Sequence, residues 1–163
     1  MKKKILVTGA QGFIGSVLTT MLKRNKSFEV IGTESGYFKN CKMIKFKDPI
    51  KIIKSDIRNL KKKYLKNIYA VVHLAALSND PLGKINKKLT YNINVKATFR
   101  LAKLSKEMGV KKFIFSSSCI MYGSSKSKKV TEKSKPNPLP EYAKSKVIAE
   151  KKISKLEIFH LFF

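Results

Sequence analysis

Residues 4–15 read KILVTGAQGFIG. A short apolar run, Lys4–Thr8, passes directly into a glycine-rich turn that opens a segment with helical spacing of apolar residues. A strand, a glycine turn and a helix in this order can hold a phosphate group. Gly9 permits the tight turn, Gly12 lets backbone approach a pyrophosphate, and Gly15 lets the helix pack closely. Glycines also occur in ordinary turns, so the context decides.

The rest of the chain alternates strand-like and helix-like segments. We predict further strands at Phe28–Thr33, Lys51–Lys54, Ile68–Ala75 and Lys112–Ser116. We predict helices at Phe13–Arg24, Asn86–Met108 and Glu141–Leu156, with Gly109 as a C-cap. This alternation predicts the α/β class, with right-handed βαβ units and a parallel sheet covered by helices on both faces.

Two further predictions concern the apolar residues of the first helix and the loop before the last helix. The apolar residues of the first predicted helix are Phe13, Val17, Leu18, Met21 and Leu22. The segment 123–140 is rich in Ser, Lys and Pro. We predict an ordered loop that leads into the last helix, with a linker between domains as the alternative.

Size and composition predict one folded domain. The chain has 163 residues, of which 43% are hydrophobic, which is enough for a core. No apolar stretch approaches the roughly 20 residues of a membrane span, and the start lacks the apolar segment of a signal peptide. We therefore expect a cytoplasmic protein without a membrane partner. The two cysteines, Cys41 and Cys119, form neither a disulfide framework nor a zinc spacing.

Charge is the most unusual property of the composition. The chain has 36 basic and 10 acidic residues, a formal net charge of +26. Such a charge could serve nucleic-acid binding. However, only Arg24, Arg58 and Arg100 are arginine, the residue that makes bidentate contacts to phosphate and guanine. The lysines are spread along the chain and accompany other residues with AT-rich codons. We interpret the charge as codon bias and do not expect a nucleic-acid partner.

An acidic residue follows the glycine turn at an informative distance. Glu34 ends the second predicted strand, 19 residues beyond Gly15. A dinucleotide site places a carboxylate about 20 residues beyond its glycines, where it binds the adenosine ribose. A solvated carboxylate at a strand end is the alternative.

A second group of residues lies near the end of the chain. Tyr142 and Lys146 are four residues apart, so a helix places them on one face. A nearby ammonium stabilises a phenolate, which makes tyrosine a usable base near neutrality. In so lysine-rich a chain, a surface pair is the alternative. Upstream, residues 116–118 are three serines at the end of the fifth predicted strand, where ligands of parallel sheets bind.

Together these motifs resemble one family closely. It is the extended short-chain dehydrogenases/reductases, the NAD-dependent epimerase/dehydratase group that includes UDP-glucose 4-epimerase. The resemblance runs from Lys4 to about Glu150. It rests on the glycine turn and on these segments: Asp56-Ile57-Arg58, His73-Leu74-Ala75-Ala76, Asn92-Ile93-Asn94-Val95, Phe115-Ser116-Ser117-Ser118 with Tyr122-Gly123, and Tyr142-Ala143-Lys144-Ser145-Lys146.

The resemblance implies a Rossmann-like doubly wound sheet and a role for each matching residue. The catalytic group would be Ser118, Tyr142 and Lys146. Asn94 would support the central helix. The residues that would contact NAD are Gly9, Gly12, Phe13, Ile14, Gly15, Glu34, Asp56, Ile57, Leu74, Ala75, Ala76, Tyr142 and Lys146.

The resemblance also implies a reaction. The dehydratases of the family have an Asp-Glu pair directly after the catalytic hydroxyl residue, whereas this chain has Cys119 and Ile120. We therefore expect an NAD-dependent epimerase or reductase of a nucleotide-sugar, with epimerisation favoured over dehydration. Glu34 favours NAD over NADP, a preference that Lys39 and Lys42 could soften. The segment Ser78-Asn79-Asp80-Pro81 would border the substrate.

Family members have about twice this length. We therefore expect residues 1–163 to form an incomplete NAD(P)-binding Rossmann domain that lacks its last strands and the C-terminal substrate domain, and we expect this chain alone to be inactive. The resemblance implies a homodimer through the two long helices. A non-catalytic, lysine-rich module that keeps the fold and binds nucleic acid or another polyanion stays open as the alternative.

Overall fold

The computed structural model describes residues 1–37, 50–78, 86–123, 129–156 and 161–162. The predictions for Lys39, Cys41, Lys42 and residues 79–81 lie outside these ranges. Within them, no helix is long and apolar enough to cross a membrane.

One parallel sheet organises the described residues. Its strands lie in the order β3-β2-β1-β4-β5-β6, and every neighbouring pair is parallel. The strands are β1 Lys3–Thr8, β2 Phe28–Glu34, β3 Lys51–Lys54, β4 Ala70–His73, β5 Lys112–Phe115 and β6 Leu161–Phe162. The predicted α/β class with a parallel, doubly wound sheet is confirmed.

Helices connect the strands. They are α1 Phe13–Arg24, α2 Lys87–Tyr91, α3 Thr98–Glu107 and α4 Glu141–Ser154. A π-helical segment, Asn92–Ala97, joins α2 to α3, so the predicted helix Asn86–Met108 has a wide turn at its centre. Short 3-10 turns lie at Ile57–Asn59, Lys62–Leu65 and Cys119–Tyr122.

Local signals explain several helix ends. The Asn86 side chain accepts a hydrogen bond from the Leu89 amide and caps α2. Gly109 has a φ of +72°, and the Val110 amide donates to the Ser105 carbonyl across it. This is the left-handed cap that glycine favours, which confirms the predicted end of the long helix.

The core has two parts, one on each face of the sheet. On one face, Leu6, Val71 and Phe113 pack with α3 and α4, which contribute Leu101 and Ile153. On the other face, Ile5, Val7 and Val72 pack with Leu18 and Leu22 of α1. Alternate residues of each strand thus serve opposite cores, as expected for a sheet covered on both sides.

The predicted apolar face of α1 is partly wrong. Phe13, Val17 and Met21 are exposed, whereas Gly15, Ser16 and Thr19 are buried. Small residues are buried because the helix lies close to the turn that precedes it. Leu18 and Leu22 do pack on the core, as predicted.

Two strands differ from the predictions, and the described part of the predicted loop leads into α4 as expected. β4 is limited to Ala70–His73 within the predicted 68–75, because the Ala75 amide donates to the Thr8 side chain instead of to a strand. The segment β6 was not predicted, and it pairs Leu161 with Phe113. The described part of the predicted loop, 129–140, packs back on the chain, where the Asn137 amide donates to the Met121 carbonyl at 2.9 Å.

Candidate functional site

The glycine turn joins β1 to α1 at the carboxyl end of the sheet. Gly9 has a φ of +67°, and its amide donates to the Thr33 carbonyl of β2 at 3.0 Å. A Cβ at Gly15 would lie 2.1 Å from the Gly9 carbonyl oxygen. Only glycine at both positions lets the helix begin so close to the turn.

The start of α1 is open. Gly12 occupies the N-cap without a side-chain hydrogen bond. A Cβ there would meet only the Gly9 carbonyl oxygen, at 3.3 Å. The first residues of the helix, Phe13 and Ile14, are 69% and 59% exposed. An uncapped helix start with positive partial charge and no side chain above it suits a phosphate group.

Glu34 lies at the end of β2, beside the turn. Its Oε2 accepts a hydrogen bond from the Gln11 amide at 3.3 Å, and its Oε1 accepts one from the Ser35 amide at 3.0 Å. These amides hold the carboxylate at the cleft, where its remaining lone pairs can accept hydrogen bonds from hydroxyl groups.

The segment after β3 contributes an ion pair. Arg58 donates to both carboxylate oxygens of Asp56, with an Nη2–Oδ2 distance of 2.7 Å. The Asp56 carboxylate also caps the 3-10 turn by accepting from the Arg58 amide. These bonds to Arg58 lower the pKa of the Asp56 carboxyl despite its partial burial. Asp56 therefore stays ionised and fixed.

Tyr142 and Lys146 lie on one face of α4, as their spacing predicts. Lys146 is 3% exposed. Its Nζ donates to the Ser116 carbonyl at 2.8 Å and lies 4.7 Å from the Phe115 ring centroid and 5.6 Å from that of Tyr142. Burial lowers the pKa of Lys146 to about 8, and the Glu150 carboxylate partly offsets this. The ammonium is thus held against the phenol ring.

The three serines at the end of β5 differ in position. Ser116 lies against Lys146 and lines the same cleft. Ser117 contacts the Met121 sulfur at 3.8 Å. Ser118 precedes the 3-10 turn Cys119–Tyr122 and is not among the residues that line the cleft. The structure therefore brings Ser116, rather than Ser118, beside the lysine.

One cleft of about 440 Å³ collects these groups at the carboxyl ends of the strands. Every predicted cofactor or catalytic residue lines it, apart from Ser118. The lining residues outside those predictions are Thr33, Ser35, Tyr37, Ser55, Leu77, Ser78, Ile93 and Ser116. Tyr37 follows β2 without a recognisable spacing, so the sequence held no signal for it.

Asn94, which the resemblance implies supports the central helix, also makes bonds to two other elements that the sequence did not reveal. Its side chain accepts from the Leu77 amide at 2.8 Å and donates to the Leu77 carbonyl at 3.0 Å. Its amide nitrogen also donates to Ser145 Oγ at 3.0 Å, and that hydroxyl donates to the Tyr142 carbonyl at 2.6 Å. The π-helical segment thus fixes the loop after β4 to the helix that carries Tyr142.

Known proteins are similar to this chain in sequence. The model of the NAD dependent epimerase/dehydratase family matches residues 5–157. An uncharacterized UDP-glucose epimerase of Bacillus subtilis is 32% identical over 158 residues, which are 91% of this chain and 50% of that protein. A human dTDP-D-glucose 4,6-dehydratase is 32% identical over 160 residues, 91% of this chain and 45% of the relative. The chain spans about half the length of these relatives.

Solved structures have a fold similar to that of this chain. The UDP-glucuronic acid 4-epimerase of Bacillus cereus, in complex with UDP-glucuronic acid and NAD, has a TM-score of 0.82 at 29% identity, covering 98% of this chain and 55% of that chain. A UDP-N-acetylglucosamine 4-epimerase of Methanobrevibacter ruminantium has a TM-score of 0.84 at 30% identity, covering 96% of this chain and 51% of that chain. Since the family match covers nearly the whole sequence and the fold agrees with it, the chain belongs to the NAD-dependent epimerase/dehydratase family.

Proposed function

We propose that the chain is the cofactor-binding half of an NAD-dependent epimerase or reductase that acts on a nucleotide-sugar. One observation carries the proposal: a single cleft joins the open glycine turn, the fixed Glu34 carboxylate and the Tyr142–Lys146 pair. The solved relative with UDP-glucuronic acid and NAD supports the same pairing of cofactor and substrate.

The residues of the cleft fit the cofactor. The uncapped start of α1 and the bare Gly12 suit the pyrophosphate, and Glu34 suits a ribose with two free hydroxyls. The roles proposed for Asp56 and Ile57 at the adenine, and for the loop 74–76 along the cofactor, come from the resemblance, and their position in the same cleft supports them.

Tyr142 is the proposed proton acceptor from the substrate hydroxyl. The Lys146 ammonium, held by the Ser116 carbonyl, favours the phenolate. The proposed hydroxyl donor to the same substrate oxygen is Ser118; because Ser118 does not line the cleft, this role rests on the resemblance alone. NAD, when bound, supplies the hydride acceptor. Because the chain has Cys119 and Ile120 where the dehydratases have an acid pair, we propose oxidation–reduction and epimerisation rather than dehydration. A full-length relative with the Ser-Cys-Ile segment that forms a 4-keto-6-deoxy sugar would contradict this.

Titration of the purified 163-residue chain with NAD tests the central claim. A Gly12→Val variant has allowed backbone angles, since Gly12 has a φ of −71° and a ψ of 177°, and it places methyl groups in the cleft. We expect saturable NAD binding to the unaltered chain and to a Ser27→Val control. Ser27 is exposed in the turn before β2, at the opposite end of the sheet from the cleft. Gly12→Val should abolish NAD binding. Absence of NAD binding, with salt-sensitive binding to nucleic acid, would favour the polyanion-binding alternative.

A homodimer through the two long helices belongs to the same proposal. Exposed residues of these helices include Lys96, Lys103, Lys144 and Lys151. In a two-fold contact such charges would repel, so we expect dimers to form more readily at high ionic strength. Sedimentation at low and high salt measures this, and a dimer that weakens with salt would contradict it.

A further inference from the structure

His73 is a buried ring that lies behind the cleft. It ends β4 and is 1% exposed, and it is not among the residues that line the cleft. Its Nδ1 lies 2.7 Å from the Thr8 hydroxyl, and its Nε2 lies 2.8 Å from the Thr98 hydroxyl. The ring therefore links the end of β1 to the start of α3.

Counting protons and lone pairs fixes the direction of these bonds. Thr8 Oγ1 accepts hydrogen bonds from the Ala75 amide at 3.1 Å and from the Leu74 amide at 3.2 Å, and the Leu74 amide is shared with the Thr8 carbonyl oxygen at 3.3 Å. A hydroxyl has two lone pairs and one proton, so both lone pairs of Thr8 face amide donors. This arrangement directs the Thr8 proton to His73 Nδ1. His73 consequently carries its own proton on Nε2 and donates it to Thr98.

We infer that His73 is a positioning residue for the cofactor cleft: as the neutral Nε2–H tautomer, it orients the Thr8 hydroxyl, which holds the loop after β4 against the glycine turn. This inference rests on the proposed function for its consequence on NAD, but its geometry does not. The relay runs from Thr98 through His73 and Thr8 to the amides of Leu74 and Ala75, and these last two residues line the cleft.

The fit at the end of the relay is tight. A Cβ at Gly9 would lie 3.0 Å from the Ala75 amide nitrogen. The turn and the loop are therefore in van der Waals contact. Because Gly9 and Ala75 both line the cleft, a small shift of the Ala75 amide changes the shape of the cleft wall. Position within about an ångström matters for binding and catalysis.

The surroundings of His73 keep it neutral. Its ring packs against Phe113 and Phe115, with centroids 6.1 and 6.0 Å away, and the Lys146 ammonium lies on the Phe115 ring. Burial, and then the charge of Lys146, lower the pKa of His73 to about 3. A second ring proton on Nδ1 would have no acceptor at Thr8, because both lone pairs of that hydroxyl are in use.

Nitrogen NMR of the unaltered ring tests the tautomer directly. The sequence has two histidines, His73 and His160, so a His160→Asn variant leaves one ring to assign. We expect a protonated Nε2 and an unprotonated, hydrogen-bonded Nδ1 that persist from pH 7 to pH 5. A proton on Nδ1, or a ring that titrates near pH 6.5, would overturn the inference. This measurement needs neither NAD nor a change in the relay.

Thr98 offers a substitution at a residue that does not line the cleft. Thr98→Val keeps the shape and removes the acceptor, whereas Thr98→Ser keeps the hydroxyl. Thr90→Val is the matched control, because Thr90 in α2 is also buried and its hydroxyl bonds only to the Asn86 carbonyl among the bonds described. We expect faster amide exchange at Ala75 in Thr98→Val, and near-normal exchange there in Thr98→Ser and Thr90→Val. The Leu74 amide is a weaker probe, because it also donates to the Thr8 carbonyl. Equal exchange in both valine variants would overturn the relay.

NAD affinity gives the functional readout. We expect Thr98→Val to weaken NAD binding roughly 2- to 10-fold, the effect of one lost hydrogen bond, and Thr98→Ser to restore it. Unchanged affinity with altered exchange at Ala75 would overturn the positioning role. If the unaltered chain binds no NAD while the tautomer and the exchange follow expectation, the relay stands and the proposed function fails.

Discussion

At the residue scale, the protein depends on side chains held in one ionisation state. Asp56 is kept charged by Arg58, His73 is kept neutral by burial, and Lys146 is buried with a carbonyl and an aromatic ring as its partners. Each state follows from the neighbours that the fold provides. The neutral state of His73 affects how stability depends on pH. A further carboxylate, Glu34, affects the choice of cofactor.

Stability should fall as the pH is lowered below about 6.5. His73 has a pKa of about 3 in the folded chain and 6.5 as its ordinary value, so the unfolded chain binds more protons between these limits. The free energy of unfolding should decrease by up to about 1.4 kcal/mol per pH unit in that window. Lys146, with its pKa of about 8, is protonated in both states there and adds no slope.

Urea unfolding at pH 7, 6 and 5 measures this effect. A His73→Gln variant, whose side chain does not titrate, should show a flatter profile over the same interval. A profile equally steep in the variant would assign the acid sensitivity to other groups.

Cofactor choice should depend on Glu34. A carboxylate accepts hydrogen bonds from two ribose hydroxyls and repels a 2′-phosphate, so NAD should bind more tightly than NADP. Glu34→Gln should weaken NAD binding roughly 10-fold, the effect of a charged hydrogen bond, and narrow the difference from NADP. Calorimetric titration with both cofactors checks this. NADP binding as tight as NAD binding in the unaltered chain would contradict it.

At the element scale, the π-helical segment Asn92–Ala97 is the main departure from regular structure. Such a segment adds a residue to a turn and redirects the side chains that follow it. Here it lies where Asn94 bonds to both backbone groups of Leu77 and to Ser145. Three elements around the cleft therefore meet at one buried amide.

Loss of that amide should be costly. Asn94→Ala leaves the Leu77 amide and carbonyl and the Ser145 hydroxyl without this partner, so we expect a loss of about 2–4 kcal/mol in the free energy of unfolding. Asn92→Ala, a half-buried position in the same segment, is the control and should cost under about 1 kcal/mol. Chemical denaturation measures both. Similar losses in the two variants would show that Asn94 does not join the elements.

At the scale of the whole molecule, the described residues form one sheet with the cleft that we propose for NAD. The chain spans about half the length of its curated relatives, and the two solved epimerases are likewise about half covered. About half of each of these relatives therefore has no counterpart among the 163 residues.

We therefore expect the 163-residue chain, expressed by itself, to bind NAD and to show no measurable turnover of nucleotide-sugars. Catalysis requires the sugar to be held against the cofactor and Tyr142, and displacement by about 1 Å can cost on the order of 100-fold in rate. An assay of a monodisperse sample with NAD and a panel of nucleotide-sugars measures this. Turnover that disappears in Tyr142→Phe would show that these residues suffice.

Net charge should affect stability as a whole. A formal charge of +26 on a chain of this size implies self-repulsion in the compact state, which salt screens. The same charge was the basis for considering nucleic-acid binding. The family match and the cleft account for the motifs without it, and codon bias remains our interpretation of the lysines.

The sequence by itself determined the strand–turn–helix unit at residues 4–15, the parallel α/β class and the pairing of Tyr142 with Lys146. Periodicity, glycine spacing and the four-residue helical repeat are local, so a single segment carries each signal. The sequence did not determine which face of α1 is buried, because the close approach of the helix to its turn favours small residues over large apolar ones there.

Only the tertiary structure decided how the strand ends meet. It set Ser116 rather than Ser118 against Lys146, joined Asn94 to Leu77 and Ser145, and placed His73 between Thr8 and Thr98. The partners in these pairs are far apart in the sequence: Leu77 and Asn94 are separated by 17 residues, and Thr8 and His73 by 65. No local pattern encodes such contacts, because they exist only once parallel strands bring their carboxyl ends to one edge.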